Sequence, residues 1–413
     1  MLMRRTKLIK ELKEQSITIV SSGQLVKQSL DQYYPFFVDN NFYYLTNIVQ
    51  ENVYLVIIKG NNQVKTILFL EPFDAHKALW VGTGLSFEAA KKIAQVDEVL
   101  PINSFKAVVS SYLTLARSAV FGEINHLYFD FNNSLLEKNN QLTTLVKNFQ
   151  ESYPYLTINN LHPFLSYLRM FKDKNEINNL KKAIEITKEG ILLMMKEAQR
   201  GMKEHELEAF FHYVLYKHGV RPAFKTIAAS GVNATILHYE NNNDVINDNE
   251  LILFDLGASY LGYAADISRT FPISGKFTER QKQYYQLVLT VNKKVIDYLK
   301  PGVTNQEVND YAKSLLAEGL IKMGKITTKE ELGKYYYHSI GHFLGLDVHD
   351  VGLYTKPFQA GQVFTVEPGL YIKDENIGIR IEDDILITET GNINLSQGII
   401  KEITEIEKFM QKK

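Results

Sequence analysis

The sequence contains no cysteine. Disulfides, thiolate metal centres and cysteine nucleophiles are excluded, and any metal must be held by His, Asp and Glu. Long apolar runs are also missing. The longest, such as "LILF" and "YLVII", have strand length, against about 20 residues for a membrane span. Excess charge of either sign is lacking too: 46 Lys and Arg stand against 47 Asp and Glu, a formal net charge of −1. No nucleic-acid partner and no membrane partner is expected; basic pairs such as Lys293-Lys294 read as solvated helix faces. The opening "MLMRRTKLIKELKEQSITIV" is charged throughout and lacks the apolar core of a secretory signal, so a cytoplasmic setting is expected. There is no internal repeat.

What is present suits a globular protein of two domains: 413 residues, 45% hydrophobic and 23% charged. Over residues 1–160, short strands ("SITIVSS", "NVYLVIIKG", "QVKTILFLE") alternate with helical stretches ("FEAAKKIAQ", "LLEKNNQLTTLVKNF"). That alternation predicts an α/β domain. "SYPYLTINNLHPFLSYLR" reads as a linker, and residues 161–413 as a second domain with longer helices. Asp173 with Glu176, Thr278 with Gln281 and Thr304 with Glu307 have the spacing of capping boxes. Ile177, Leu180, Ile184 and Ile191 make one helical stripe, and Leu207, Phe210, Phe211, Val214 and Leu215 another, with Gly219 as the stop.

Carboxylates interrupt the apolar runs of this second half. Asp255 ends "LILFD", Asp266 follows "YAA", Glu367 sits in "VFTVEPGLYI" and Glu382 in "IGIRIEDDILIT". A hairpin would bring Asp255 and Asp266 side by side. One such residue is easily an edge position, but four converging charges need compensation. The strand patterns hold too few lysines and arginines, and two divalent cations would balance the four. "YYYHSIGHFLGLDVHDVG" adds His338, His342 and His349. His338 and His342 are spaced as in a helical zinc motif, but the glutamate of that motif is absent and Gly341 and Gly345 oppose a helix. One histidine with four carboxylates suits Mn²⁺, Co²⁺ or Fe²⁺, and paired metals point to hydrolysis.

These residues, in this order with this flanking text, resemble the five-ligand set of the pita-bread metallopeptidases. "FFVDNNFYYLTNIVQENVYLVII" and "LWVGTGLSFEAA" are similar to the extra domain of the Xaa-Pro aminopeptidases (aminopeptidase P); prolidase, the Xaa-Pro dipeptidase, is the close relative. The resemblance implies an α+β pita-bread catalytic domain and a metal-dependent exopeptidase acting on peptides with proline second. Asp266 and Glu382 would bridge two metals, Asp255 would bind one, and His342 with Glu367 the other. Mn²⁺ is the expected metal, with Co²⁺, Fe²⁺ or Zn²⁺ as alternatives. Glu367 would also shuttle the proton, His238 and His349 would hydrogen-bond the substrate carbonyl, and His338 would shape the proline side. Tyr371 and Arg380 match family positions at the pocket wall, and Trp80 one that can reach a neighbouring subunit. A homodimer or homotetramer is expected. The competing readings are a prolidase and a catalytically silent binding protein. Plainer readings also stand: Arg380 paired with Asp383 or Glu382, Tyr371 and Trp80 as packing residues, Asp347 and Asp350 as loop-fixing. His76, His126, His162, His205, His212 and His218 read as structural or exposed. Asn47 and "NDNE" replace turn glycines common in the family.

Overall fold

A computed structural model describes residues 2–114, 119–131 and 141–411. The chain divides into two compact units, Met1–Arg169 and Met170–Lys413.

The first unit is α/β. Its six strands are β1 (Ser16–Ser21), β2 (Tyr54–Gly60), β3 (Gln63–Leu70), β4 (Glu98–Pro101), β5 (His126–Phe129) and β6 (Thr157–Asn160), in the sheet order β4-β3-β2-β1-β5-β6. The pairs β1/β2 and β2/β3 are antiparallel; β3/β4, β1/β5 and β5/β6 are parallel. Asn61 and Asn62 close the β2/β3 hairpin with both φ angles positive, the two-residue turn whose twist matches the strands. Ile17, Ile19, Val56, Ile58, Ile67, Phe69, Leu127 and Phe129 form one buried face. The helical expectation for "LLEKNNQLTTLVKNF" is met from Gln141, where the helix Gln141–Ser152 begins; residues 135–140 lie outside the described residues. Asn47 ends the helix Asn40–Thr46 in the left-handed conformation, the role a glycine would fill.

The expected linker is ordered instead. It contains β6 and the helix His162–Met170, with Asn160 Oδ1 accepting from the His162 N–H at 2.9 Å. "TINN" has no apolar alternation because β6 is an edge strand held by backbone pairing to β5, and edge strands need only half a buried face.

The second unit is α+β. All three expected capping boxes form, starting the helices Lys174–Glu197, Glu279–Tyr298 and Asn305–Lys322. The helix Glu204–Lys217 buries Leu207, Phe211, Val214 and Leu215. Its strands are β7 (Arg221–Pro222), β8 (Ile227–Ser230), β9 (Leu251–Leu256), β10 (Ala258–Tyr260), β11 (Tyr263–Ala264), β12 (Ile267–Pro272), β13 (Val363–Val366), β14 (Gly369–Ile372), β15 (Ile377–Arg380), β16 (Asp383–Ile387) and β17 (Asn392–Asn394). They form antiparallel sets β12-β9-β8, β13-β16-β17, β14-β15 and β11-β10-β7. Among the described residues, no helix is long and apolar enough to cross a membrane.

Candidate metal centre and active site

Register places the carboxylates. In the β9/β12 pair, Asp255 lies opposite Ser268 and Leu256 opposite Ile267, so Asp266 stands just before β12 and close to Asp255. The chain between them turns tightly: a Cβ on Gly257 would lie 1.7 Å from the Ala265 carbonyl oxygen. In the β13/β16 pair, Val366 lies opposite Asp383, which sets Glu367 and Glu382 against each other at one end. The two sheets are joined there. The Glu382 N–H donates to Ser268 O at 3.1 Å, and the Asp266 N–H to Asp384 Oδ2 at 3.2 Å.

The histidine stretch is not helical. Gly341 passes so close to β13 that a Cβ would sit 2.0 Å from the Thr365 carbonyl oxygen. Thr365 fixes His342 from both sides: its N–H donates to His342 O at 2.9 Å, and its Oγ1 accepts from the His342 N–H at 3.0 Å. His342 Nδ1 is 3.1 Å from the Phe343 carbonyl oxygen, a contact only a protonated Nδ1 can donate to. The Nε2 lone pair is thereby left facing Asp266 Oδ2 at 3.3 Å and Glu367 Oε1 at 3.7 Å, the tautomer a ligating imidazole needs.

A cavity of about 550 Å³ gathers Asp255, Asp266, His342, Glu367 and Glu382 on its wall, together with His238, His338, His349 and Arg380. Ligand atoms of Asp266, His342 and Glu382 lie within 4.8 Å of one another. Tyr371 is buried behind the wall. Its hydroxyl takes Arg380 Nη1 at 3.1 Å and meets His338 Nε2 at 2.8 Å. The His349 ring lies beside that of His342, tilted by 55° with ring centroids 4.2 Å apart. Trp80 is not brought into this cavity by its own chain; it stands 77% exposed on the helix Ala75–Val81 of the first unit.

The electrostatics are those of a cluster short of positive charge. Five carboxylates line the cavity against two cations: Lys225 is paired with Glu240 at 2.7 Å, and Arg380, beside Asp255, Asp266, Glu367 and Glu382, has its Nη2 already bound to Asp255 Oδ2 at 2.7 Å. Burial, then the charges of Glu382, Asp255 and Asp384, push the Asp266 carboxyl well above the usual range. Burial and Glu382 do the same to Glu367, and burial with Asp255 lifts Glu382 to about 7. Burial, then Arg380, lowers His338 to about 4; burial, then His342, lowers His349. Among the described residues no hydrogen-bond donor reaches Asp255 Oδ1, Glu382 Oε1 or Asp384 Oδ1, all buried. Buried carboxylate oxygens with unmet bonding capacity fit a cation, and the hard oxygen donors with one imidazole fit divalent metals.

Several partners differ from the expected ones. Arg380 pairs with Asp255, not with Asp383 or Glu382. Asp383 instead meets Arg269 at 2.8 Å and Lys401 on the other side of the strand. Asp350 forms a fully buried pair with Lys172 at 2.9 Å. Sequence reasoning missed Ser268, which donates to Glu382 Oε2 at 2.8 Å and accepts from Arg380 Nε at 2.8 Å. It also missed Asp384 and Arg269. The signal for Arg269 was present in "DISRTF", a charge inside a strand.

Known proteins share this chain's sequence pattern and fold. Residues 178–389 match Metallopeptidase family M24, and residues 2–121 match the aminopeptidase P N-terminal domain. The chain is 34% identical to Xaa-Pro aminopeptidase of Haemophilus influenzae, over 98% of this chain and 96% of that protein. Identity to Xaa-Pro aminopeptidase of Escherichia coli is also 34%, with the same coverages. The solved structure of zinc-substituted E. coli aminopeptidase P in complex with product matches with TM-score 0.91 and 32% identity, over 100% of this chain and 97% of that one. The chain belongs to metallopeptidase family M24, with the pita-bread catalytic domain preceded by an aminopeptidase P N-terminal domain.

Proposed function

We infer that the protein is a metal-dependent exopeptidase releasing the N-terminal residue of peptides whose second residue is proline. The observation that carries this reading is the cavity wall where Asp255, Asp266, Glu367 and Glu382 gather around one oriented imidazole nitrogen with Arg380 as the guanidinium beside them. Asp255, Asp266, His342, Glu367 and Glu382 would hold two divalent cations, with Asp266 and Glu382 shared between them. Mn²⁺ is the occupant we put first, ahead of Co²⁺, Fe²⁺ and Zn²⁺. Bound there, the cations supply Lewis acidity, which acidifies water and polarises the scissile carbonyl.

The protein's own groups do the rest. Glu367 takes the proton of the attacking water on a carboxylate oxygen and delivers it to the prolyl nitrogen as the bond breaks. His349, kept neutral by its lowered pKa, and His238 donate to the substrate carbonyl oxygen, where charge develops. His338, held by Tyr371 and by Ser339 O at 2.7 Å, walls the proline side. Proline has no N–H and a fixed φ, so a cavity lined by Phe224, Ile227, Leu237 and Val348 suits it better than a backbone-pairing cleft.

A dipeptidase would have to meet the carboxylate that directly follows the proline. The cations on this wall are committed, Lys225 to Glu240 at 2.7 Å and Arg380 to Asp255. That favours longer peptides over Xaa-Pro dipeptides. For assembly we propose a homodimer or homotetramer, supported by the exposed Leu79, Trp80 and Val81 of the first unit; Trp80 then serves a neighbour's cavity. The test is cleavage by metal-stripped protein with and without Mn²⁺. Release of the first residue from Xaa-Pro-Yaa, abolished by chelator and absent for Xaa-Ala-Yaa, is expected. Activity confined to Xaa-Pro makes it a prolidase, and no cleavage by folded protein removes the enzymatic reading.

A further inference from the structure

Glu204, first residue of the helix Glu204–Lys217, is 0% exposed. Among the described residues no lysine or arginine pairs with it. Five donors converge on its carboxylate instead. Oε1 accepts from Ser230 N at 2.7 Å, Ser230 Oγ at 2.8 Å and Asn233 Nδ2 at 3.1 Å. Oε2 accepts from Tyr239 Oη at 2.9 Å and Asp244 N at 3.1 Å. A buried carboxylate with fewer donors is costly, whereas one with a full set rigidifies whatever supplies them. All five donors belong to the stretch 230–244, from Ser230 at the end of β8 to Asp244 ahead of β9, and the Glu204 N–H returns a bond to Asp244 O at 3.0 Å.

That stretch carries His238 to the cavity wall. Among the described residues the His238 side chain makes no hydrogen bond of its own, so its backbone must aim it. Tyr239, the next residue, is anchored twice: its hydroxyl on Glu204, and its ring in a buried cluster with Leu253 and Tyr371. Asn242 adds a second tie to the same helix, donating to Glu208 Oε2 at 2.9 Å.

We propose that Glu204 is a positioning residue for His238, locking the loop 230–244 through Tyr239 so that the imidazole is held against the substrate carbonyl. The inference rests on the Xaa-Pro exopeptidase reading. Glu204→Gln places an amide N–H₂ among donors, and Tyr239→Phe removes one donor while keeping the ring. The experiment is a double-mutant cycle with His238→Ala, assayed as kcat and KM on Xaa-Pro-Yaa with the Mn²⁺-loaded enzyme. Each variant is expected to lower kcat about 10-fold in the wild-type background and less than about 2-fold beside His238→Ala, because coupled sites are not additive. Equal losses in both backgrounds overturn the proposal. Histidine imidazole NMR of the same proteins, with His238 assigned by its alanine variant, gives a readout independent of turnover. The His238 resonance should move in Glu204→Gln and Tyr239→Phe; an unmoved resonance in both refutes the proposal whatever the activity. A moved resonance in protein that cleaves no Xaa-Pro-Yaa keeps the positioning and sinks the enzymatic reading. If Glu204→Gln does not fold, Tyr239→Phe carries the test.

Discussion

Arg269 is the side chain whose loss should be felt most widely, and the structure lets the loss be sized. It is fully buried on β12. Its Nη1 donates to Glu382 O at 2.6 Å and Ser268 O at 2.9 Å. Its Nη2 donates to Asp383 Oδ1 at 2.8 Å and Ile399 O at 3.3 Å, and its Nε to Ile400 O at 3.2 Å. Arg269→Met keeps the stem and removes the charge. Breaking a buried ion pair from one side costs about 3–5 kcal/mol. Lys401, still beside Asp383, pulls toward the lower figure; the orphaned carbonyls pull toward the upper one. At about 2–4 °C per kcal/mol for a unit of this size, the second unit's Tm should fall by ~6–20 °C. Calorimetry with chelator present is the assay. Trp80, the sole tryptophan, belongs to the first unit and is largely exposed, so tryptophan fluorescence would miss the event. Adding Asp383→Leu to Arg269→Met should recover none of the loss, because Lys401 then keeps Asn292 Oδ1 but loses its carboxylate partner. A fall under about 2 °C for the single variant refutes the reasoning.

Neighbouring acids should separate stability from metal binding: Asp383→Asn is expected to cost about 3 kcal/mol in calorimetry with metal content by mass spectrometry unchanged. Glu382→Gln should lose metal while leaving the chelated protein as stable or more so, since it removes a charge from a repelling cluster. Mn²⁺ at 100 times its Kd should raise the second unit's stability by about 2.7 kcal/mol without moving the first unit's transition; equal shifts in both would place the site elsewhere. Asp39, which caps the helix Asn40–Thr46 through Phe42 N at 2.8 Å, is raised to about 6 by burial and by Asp130. A carboxyl raised on folding stabilises fully below its unfolded pKa of 3.8 and loses that contribution as pH rises through 6. The first unit's stability should therefore decline from pH 4 to 7, and Asp39→Asn should flatten that slope in pH-dependent denaturation.

The carboxylates could be read in sequence because each breaks an apolar strand pattern, a local anomaly visible without a partner. The capping boxes were legible for the same reason, since their partners lie three residues apart. Partners across the fold were not. Arg380 and Asp255 are 125 residues apart, Arg269 and Asp383 114, and Lys172 and Asp350 178. The nearest acid in sequence was the natural guess for Arg380, and register decided otherwise. The misread linker failed on the opposite ground: β6 has no pattern to see, because its pairing is backbone to backbone with β5.

Three consecutive acids, Glu382, Asp383 and Asp384, cannot be told apart by residue type, yet they serve different ends. Successive side chains of a strand point to opposite faces, so Glu382 and Asp384 share a side and Asp383 does not. Asp383 finds Arg269, Lys401 and Ser396, and its carboxyl is held well below the usual range by those two cations despite its burial. Among the described residues Glu382 and Asp384 each keep an oxygen with no donor, and both are pushed up by burial and by their neighbours' charge. Burial alone thus says nothing about function, since all three are buried. Glu204, buried with five donors, belongs with Asp383. Unmet bonding capacity on the cavity wall is what marks Asp255 and Glu382 as candidate ligands among the described acids of this unit, whereas Asp384 has the same unmet oxygen off that wall.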